Sequence, residues 1–243
     1  MSAPGASVAP MDVILVPGLW LNASTWDAVV PALVGAGHRP FPLTLPGMES
    51  RDADRAGITL GDHVTAVVEA IDAADRSRPL LLVGHSAGCG LAHAALDARP
   101  DRVARVVHVG GFPCEDGEAL LSGLEARDGE VEMPDWREIG EEANVVDFSD
   151  EQLEEFYAAA VPVPERVVTD PVGLSDERRF AVPATLVCPE YTAADVREWV
   201  AQGHLPEVER TAEVAYVDLP GGHWPQVTQP DALARVLLDE AAR

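Results

Sequence analysis

Short apolar runs alternate with amphipathic stretches along this chain of 243 residues. The apolar runs have the length and β-branched content of buried strands, and the stretches between them repeat their apolar positions every three to four residues, as helices do. This alternation predicts an α/β fold, with a mostly parallel sheet and helices on both of its faces. The predicted strands are residues 12–16, 79–83, 103–109, 184–188 and 214–219, and the predicted helices are residues 25–34, 60–74, 87–98, 149–160, 193–202 and 229–242.

Capping boxes mark the starts of most of these predicted helices. In a capping box, a Ser or Thr and an acidic residue or Gln three positions later exchange hydrogen bonds with each other's backbone. The acidic members therefore have an ordinary structural role. The pairs are Ser24 with Asp27, Thr59 with Asp62, Ser149 with Gln152, Thr192 with Asp195, and Thr228 with Asp231.

The spacing of the strands changes once along the chain. About 74 residues separate the strand that ends at Val109 from the one that begins at Ala184, which is too long for a loop in a compact domain. We therefore expect a helical, acidic cap at residues 112–180, inserted into an α/β core formed by residues 11–111 and 181–243. Residues 1–10 are expected to form a flexible arm.

The charge is strongly negative and unevenly distributed. The formal net charge is -24, and the segment 115–155 holds 16 acidic residues against two arginines. Such a surface repels nucleic acid and anionic membranes, so we expect a small-molecule partner. All 17 basic residues are Arg, which excludes Schiff-base and lysine acid–base chemistry. No spacing typical of calcium loops occurs, and no metal is expected.

The three cysteines and the amino terminus bear on the cellular compartment. Three unevenly spaced cysteines do not predict a disulfide framework. The first ten residues lack a basic start followed by an apolar stretch, and no apolar run reaches membrane-spanning length. We expect a cytoplasmic protein.

The pentapeptide Gly84-His85-Ser86-Ala87-Gly88 directly follows a predicted strand and precedes a predicted helix. This is the strand, sharp turn and helix arrangement of a nucleophile elbow, in which flanking glycines allow a tight turn that exposes the serine hydroxyl. The amino terminus of the following helix favours developing negative charge there. We predict Ser86 as a catalytic nucleophile.

A serine hydroxyl at neutral pH needs a base within hydrogen-bond reach. Of the seven histidines, His223 has a suitable setting, because it lies in the turn 220–225 directly after a predicted strand and late in the chain. An oxyanion hole also needs backbone N–H groups that point at one position. Ala87, next after the serine, is predicted to supply one, and Leu19, in the turn after the first strand, the other.

These three features together resemble the α/β-hydrolase superfamily, from about Asp12 to the end of the chain. They are similar in particular to the compact branch that includes esterases of the plant methylesterase and hydroxynitrile lyase type. The oxyanion-side motif of that branch is His-Gly followed later by Trp, and Pro17-Gly18 and Trp26 match it here with Pro in place of His. The resemblance also implies a helical cap after the family's sixth strand, where residues 112–180 stand.

In this family an acidic residue completes a catalytic triad with the serine and the histidine, and here that acid departs from the family pattern. The resemblance implies an Asp at the position of Thr192 or directly after the Val109 strand, where Gly110 and Gly111 stand instead. Glu190 is our leading prediction, because it lies close to the end of the 184–188 strand and its longer side chain can compensate for an altered turn. The alternatives are Asp116, Glu115 or Asp195, or a Ser–His pair that works without an acid.

These features predict a serine hydrolase that cleaves a carboxylic ester, thioester or lactone through an acyl-enzyme, without a metal or organic cofactor. Trp20, Trp224 and Phe112 are expected to line an apolar pocket for an ester-like small molecule. The alternatives on the same scaffold are a non-hydrolytic lyase-type enzyme and a slow-turnover binding protein. The hydroxynitrile lyase mechanism implied by the resemblance relies on a lysine beside the histidine, and Trp224 stands there. Epoxide hydrolases and haloalkane dehalogenases would need Asp in place of Ser86.

Overall fold

A computed structural model describes residues 9–243, so nearly all of the arm expected at residues 1–10 lies outside the described residues. The strands are β1 (Asp12–Val16), β2 (Arg39–Pro42), β3 (Leu80–His85), β4 (Arg105–Val109), β5 (Glu130–Val131), β6 (Val163–Pro164), β7 (Ala184–Cys188) and β8 (Val214–Asp218). The helices are α1 (Val30–Gly35), α2 (Leu60–Ala73), α3 (Gly88–Ala98), α4 (Asp150–Ala159), α5 (Glu165–Thr169), α6 (Ala193–Ala201), α7 (Pro206–Arg210), α8 (Pro225–Thr228) and α9 (Pro230–Ala241).

Six of the strands form one sheet in the order β2-β1-β3-β4-β7-β8, and every neighbouring pair in it is parallel. Five of these strands are the ones predicted from the apolar runs. The sixth, β2, was missed because it is short and contains Pro40 and Pro42. Proline lacks the N–H that a central strand must donate, and it is tolerated here because β2 lies at the edge of the sheet.

Alternate residues of the central strands pack on opposite faces of the sheet. Val13 and Leu15 belong to the cluster that includes residues of α1 and α9, whereas Ile14 and Val16 belong to the cluster that includes residues of α2 and α3. All four side chains are fully buried. This two-sided burial is the reason that the strands appear in the sequence as nearly continuous apolar runs.

Three of the five predicted capping boxes form and two do not. The boxes at Thr59, Ser149 and Thr192 are confirmed. The box at Ser24 is wrong, because the side chain of Asn22 caps a 3₁₀ turn there, and the predicted helix 25–34 is reduced to that turn and α1. The box at Thr228 is also wrong, because that residue ends α8 and its hydroxyl donates to Asp147.

Residues 112–180, called the insertion below, separate β4 from β7. The insertion contains α4 and α5 together with β5 and β6, which form a two-stranded antiparallel sheet that the sequence did not predict. Apolar residues of this small sheet and of α5 pack in the same cluster as residues of α2 and α3. The insertion thus packs directly on the core.

A buried polar network joins the end of the insertion to the core. The Asp97 carboxylate accepts hydrogen bonds from the backbone of Ser175 and Asp176 and from Arg179, which also pairs with Glu207 at 2.9 Å. Burial alone would raise the pKa of the Glu207 carboxyl, but hydrogen bonds from His93 and Arg179 lower this pKa to about 2. The pair therefore stays ionised at neutral pH.

Within residues 9–243, no helix combines the length and the apolar character needed to cross a membrane.

Candidate active site

The carboxyl ends of the parallel strands meet at one edge of the sheet. The chain passes from β1 outward to β2 and then returns to place β3 on the other side of β1, so the strand order reverses between β1 and β3. In open α/β sheets, ligands bind in the crevice outside such a switch point. Ser86 follows β3 directly and therefore lies at this crevice.

The turn at Ser86 is sharp and closely packed. Ser86 has a positive φ of 53°, which is rare for a residue with a side chain, and its N–H donates to the Val109 carbonyl at 2.8 Å. A Cβ placed on Gly88 would lie 2.4 Å from the carbonyl oxygen of Pro17, and one on Gly84 would lie 2.5 Å from the carbonyl oxygen of Gly88. Only glycine at these positions lets the turn close, which accounts for both glycines of the motif.

We expect the substitution Gly88→Ala to lower the free energy of unfolding by about 3 kcal/mol, because the added methyl group collides with backbone rather than with a movable side chain. Gly61→Ala is the matched control, since its Cβ would make only an ordinary contact of 3.5 Å in α2. It should stabilise the protein by about 0.5 kcal/mol. Urea unfolding followed by circular dichroism measures both effects. Equal stabilities for the two variants would contradict the packing argument.

Ser86, His223 and Glu190 form a chain of hydrogen bonds. The Ser86 hydroxyl lies 2.7 Å from His223 Nε2, and the Nδ1 atom of the same ring contacts the Glu190 carboxylate. A carboxylate only accepts hydrogen bonds, so Nδ1 carries the proton and Nε2 is left to accept from the serine. The structure thus brings together the three residues predicted from the ends of β3, β7 and β8.

The other acids considered from the sequence have different partners. Asp195 accepts from the backbone and hydroxyl of Thr192 in the confirmed capping box, and Asp116 accepts from the Leu174 N–H at 2.8 Å. Glu115 lines the cavity described below. Of the four acids, Glu190 is the one that contacts His223 within the described chain.

His85 and Gln226 support the His223 loop from the core, and the sequence analysis missed this role for both residues. His85 Nε2 donates to the backbone carbonyl of His223 at 2.8 Å, and the Gln226 side-chain amide donates to His85 Nδ1 at 3.2 Å. Complete burial, together with the nearby His223 ring, lowers the pKa of His85 to about 3. His85 is therefore uncharged at neutral pH, as this network of one donated and one accepted hydrogen bond requires. The position of His85 inside the elbow motif was the signal that could have indicated its role.

The turn after β1 lies against the serine, as the oxyanion prediction requires. A Cβ on Gly18 would be 3.0 Å from the Ser86 Cβ, and the backbone at Trp20 has a positive φ of 64°. Neither the Leu19 N–H nor the Ala87 N–H finds an acceptor within residues 9–243. Both residues line the cavity beside Ser86.

A cavity of about 430 Å³ opens over Ser86 and His223. Its wall combines the ends of the core strands with the first residues of the insertion and the 204–206 loop. The three residues predicted to line an apolar pocket, Trp20, Trp224 and Phe112, all line it. Trp136 of the insertion packs against both tryptophans, with ring centroids 5.8 Å and 5.5 Å away, and was not predicted. The cavity therefore has an aromatic side of three indole rings.

Cys114 is the cysteine that lines this cavity, and burial raises the pKa of its thiol to about 11. It is therefore a protonated, weakly nucleophilic thiol at neutral pH. All three cysteines are free. Within residues 9–243, no three His, Cys, Asp or Glu side chains are grouped so as to hold a metal ion.

Comparisons with known proteins bear on the family and the fold. A sequence model of the alpha/beta hydrolase family matches residues 13–236. By sequence, the chain is 26% identical over 248 residues to a pyrethroid hydrolase of Sphingobium wenxiniae, in an alignment that covers 95% of this chain and 87% of that protein.

Two solved structures show the same fold. An extracellular alpha/beta-hydrolase from a Paenibacillus species superposes with a TM-score of 0.78 at 20% identity, covering 96% of this chain and 100% of that one. The methylesterase MES16 of Arabidopsis superposes with a TM-score of 0.73 at 17% identity, covering 95% and 98% of the two chains. The family match confirms the resemblance predicted from the sequence, and the two structures confirm the fold.

Proposed function

This chain belongs to the alpha/beta hydrolase family, and from that premise we propose that it is a serine hydrolase that cleaves carboxylic ester, thioester or lactone bonds. The observation that carries the proposal is the hydrogen-bond chain from Ser86 through His223 to Glu190. The names of its relatives support ester chemistry, since they include a pyrethroid hydrolase and a methylesterase.

In the proposed first step, Ser86 Oγ attacks the carbonyl carbon of the substrate while His223 Nε2 accepts the hydroxyl proton. The negative charge moves to the carbonyl oxygen, where the N–H groups of Leu19 and Ala87 stabilise it. His223 then gives its proton to the leaving alcohol or thiol, the bond to the leaving group breaks, and an acyl group remains on Ser86.

In the proposed second step, His223 removes a proton from a water molecule that attacks the acyl carbon. The tetrahedral intermediate collapses, the proton returns to Ser86, and the carboxylic acid is released. Glu190 keeps the imidazole in the required tautomer and stabilises the imidazolium that forms in each step. The mechanism uses only these groups and water.

The size and the lining of the cavity support the proposal of a small, apolar substrate. Aromatic rings on one side bind apolar groups and exclude water from the reacting atoms. We propose that residues 112–180 act as the cap of this site, because Trp136, Phe112 and the following residues of the insertion supply much of its wall.

Hydrolysis of a series of para-nitrophenyl esters, together with labelling by a fluorophosphonate, tests the proposed function. We expect both hydrolysis and labelling, with faster turnover of neutral esters that have short to medium acyl chains. Labelling without hydrolysis of any ester, thioester or lactone would instead favour the binding or lyase alternatives, and the absence of both would contradict a serine hydrolase.

Substrate charge should also affect the rate. Glu115 and Glu118 line the cavity, which has no arginine among its lining residues, so a carboxylate on the substrate meets repulsion without compensation. We expect kcat/KM for a para-nitrophenyl glutarate monoester to be about 10-fold below that for the equally long, neutral pentanoate at low ionic strength. Added salt should narrow this gap between the two kcat/KM values. The double substitution Glu115→Gln with Glu118→Gln should narrow it too. A gap unaffected by salt and by these substitutions would rule out the electrostatic explanation.

A further inference from the structure

Three consecutive residues around His223 contact the insertion. The Gly222 N–H donates to Asp147 Oδ2 at 2.9 Å, and the His223 N–H donates to the backbone carbonyl of Asn144 at 2.8 Å. The Trp224 ring packs against Phe148, with centroids 6.1 Å apart. The loop that carries the imidazole is therefore held by a short piece of the insertion, which ends just before α4.

Asp147 is the side chain that ties this loop together. Besides the hydrogen bond from the Gly222 N–H, its Oδ2 atom accepts one from the Thr228 hydroxyl at 2.8 Å, and the Gln229 side-chain amide approaches it at 3.5 Å. One carboxylate thus spans the residues on both sides of His223, from the turn after β8 to the end of α8. A Cβ on Gly222 would lie 2.3 Å from Asp147 Oδ1, so the loop backbone rests directly against the carboxylate.

The backbone around Asp147 is held in place by apolar packing. Its neighbours Val145 and Phe148 are 1% and 7% exposed, and they pack with Leu153, Phe156 and Trp224 in one apolar cluster. The cluster fixes the backbone on both sides of Asp147. The carboxylate can therefore transmit the position of the insertion to the loop.

The core holds the same loop from the other side. His85 donates to the His223 carbonyl, while the His223 N–H donates to the insertion. The peptide units on both sides of the His223 Cα are thus fixed by different parts of the chain. The direction in which the imidazole points depends on both attachments.

We propose that Asp147 is a positioning residue that aligns His223 with Ser86 by holding the backbone of the 222–229 segment. The inference rests on the proposed hydrolase function, in which His223 is the base. It extends that function by making the insertion a part of the catalytic geometry and not solely a wall of the cavity.

The expected kinetic effect of Asp147→Ala is on kcat. Displacement of a catalytic group by about 1 Å can lower the rate by about 10²-fold, and we expect kcat to fall by about 10- to 100-fold while KM changes by less than about twofold. Asp147→Asn keeps an oxygen acceptor for Gly222 and Thr228, so it should restore kcat to within about threefold of the wild type. Glu151 is exposed in the first turn of α4. The substitution Glu151→Ala removes the same charge and should leave kcat and KM unchanged.

A second readout does not depend on activity. The Nδ1 proton of His223, held against Glu190, should give a far-downfield proton resonance in the NMR spectrum of the wild type, assigned by its loss in His223→Ala. We expect this resonance to broaden or disappear in Asp147→Ala and to persist in Asp147→Asn and Glu151→Ala. If the wild type cleaves no ester, the proposed function fails, and the resonance still tests the positioning role.

A folded Asp147→Ala variant with unchanged kcat and an unchanged resonance overturns the inference, as does an Asp147→Asn variant as impaired as Asp147→Ala. If Asp147→Ala does not fold, Thr228→Val replaces it, because it removes one donor to Asp147 and leaves the carboxylate in place. A weakened resonance in Thr228→Val then supports the role, and an unchanged resonance overturns it.

Discussion

Ser86→Ala is expected to lower kcat for ester hydrolysis by about 10⁵- to 10⁶-fold while leaving the folded structure intact. The loss is large because no acyl-enzyme can form without the hydroxyl, and the remaining rate comes from the oxyanion hole and from binding alone. The elbow itself should tolerate the change, because its positive φ and its close contacts involve the backbone and the neighbouring glycines. Steady-state kinetics with a neutral para-nitrophenyl ester measures the effect.

Two controls make this result specific to the proposed nucleophile. The variant should unfold in urea at nearly the wild-type midpoint, which excludes misfolding as the cause. Cys114→Ser tests the cysteine in the cavity, whose thiol stays protonated at neutral pH, and it should change kcat by less than about threefold. If Ser86→Ala kept a substantial part of the wild-type rate, another residue would have to be the nucleophile.

Glu190→Gln is expected to lower kcat by about 10³- to 10⁴-fold with little change in KM. A glutamine amide can donate a hydrogen bond to His223 Nδ1, which then favours the tautomer that carries its proton on Nε2. That tautomer cannot accept the proton of Ser86, which lies 2.7 Å from Nε2. The negative charge that stabilises the imidazolium is also lost. The size of this fall, measured under the same conditions as for Ser86→Ala, indicates how much of the rate depends on the acid.

The other acids near the site provide matched controls, because each can be made neutral by a change of the same size. Asp195→Asn and Asp116→Asn should leave kcat within about threefold of the wild type. Their carboxylates accept hydrogen bonds from backbone N–H groups away from His223, and the electrostatic effect of an exposed charge on the site is weak. Glu115→Gln should change kcat/KM for negatively charged esters and leave kcat/KM for neutral esters unchanged. A fall in one of these variants as large as that in Glu190→Gln would reassign the acid.

The sequence predicted the parts of the site that follow directly from local signals. Ser86 follows one strand directly and His223 lies in the turn after another, and parallel strands bring such residues to one edge of the sheet. The acid was harder to predict, because the implied family positions hold Thr192, Gly110 and Gly111. Choosing Glu190 among four acids depended on how the turn after β7 bends, and the sequence leaves that open.

The features that the sequence missed depend on contacts between distant residues. Asp147 and Gly222 are 75 positions apart, and nothing local to either residue indicates that they meet. A second contact of Asp147 explains one wrong prediction, since the Thr228 hydroxyl donates to Asp147 instead of capping α9. Strand β2 was missed because its prolines oppose a strand locally, and only its place at the sheet edge makes them acceptable.

A fluorophosphonate forms a covalent adduct with an activated serine, so the position of this adduct tests whether Ser86 is the nucleophile. Peptide mass spectrometry of the labelled protein should find the phosphonyl group on Ser86, in one copy per chain, and the Ser86→Ala variant should remain unlabelled. Attachment of the label to a different residue, or labelling of Ser86→Ala at the rate of the wild type, would show that Ser86 is not the nucleophile.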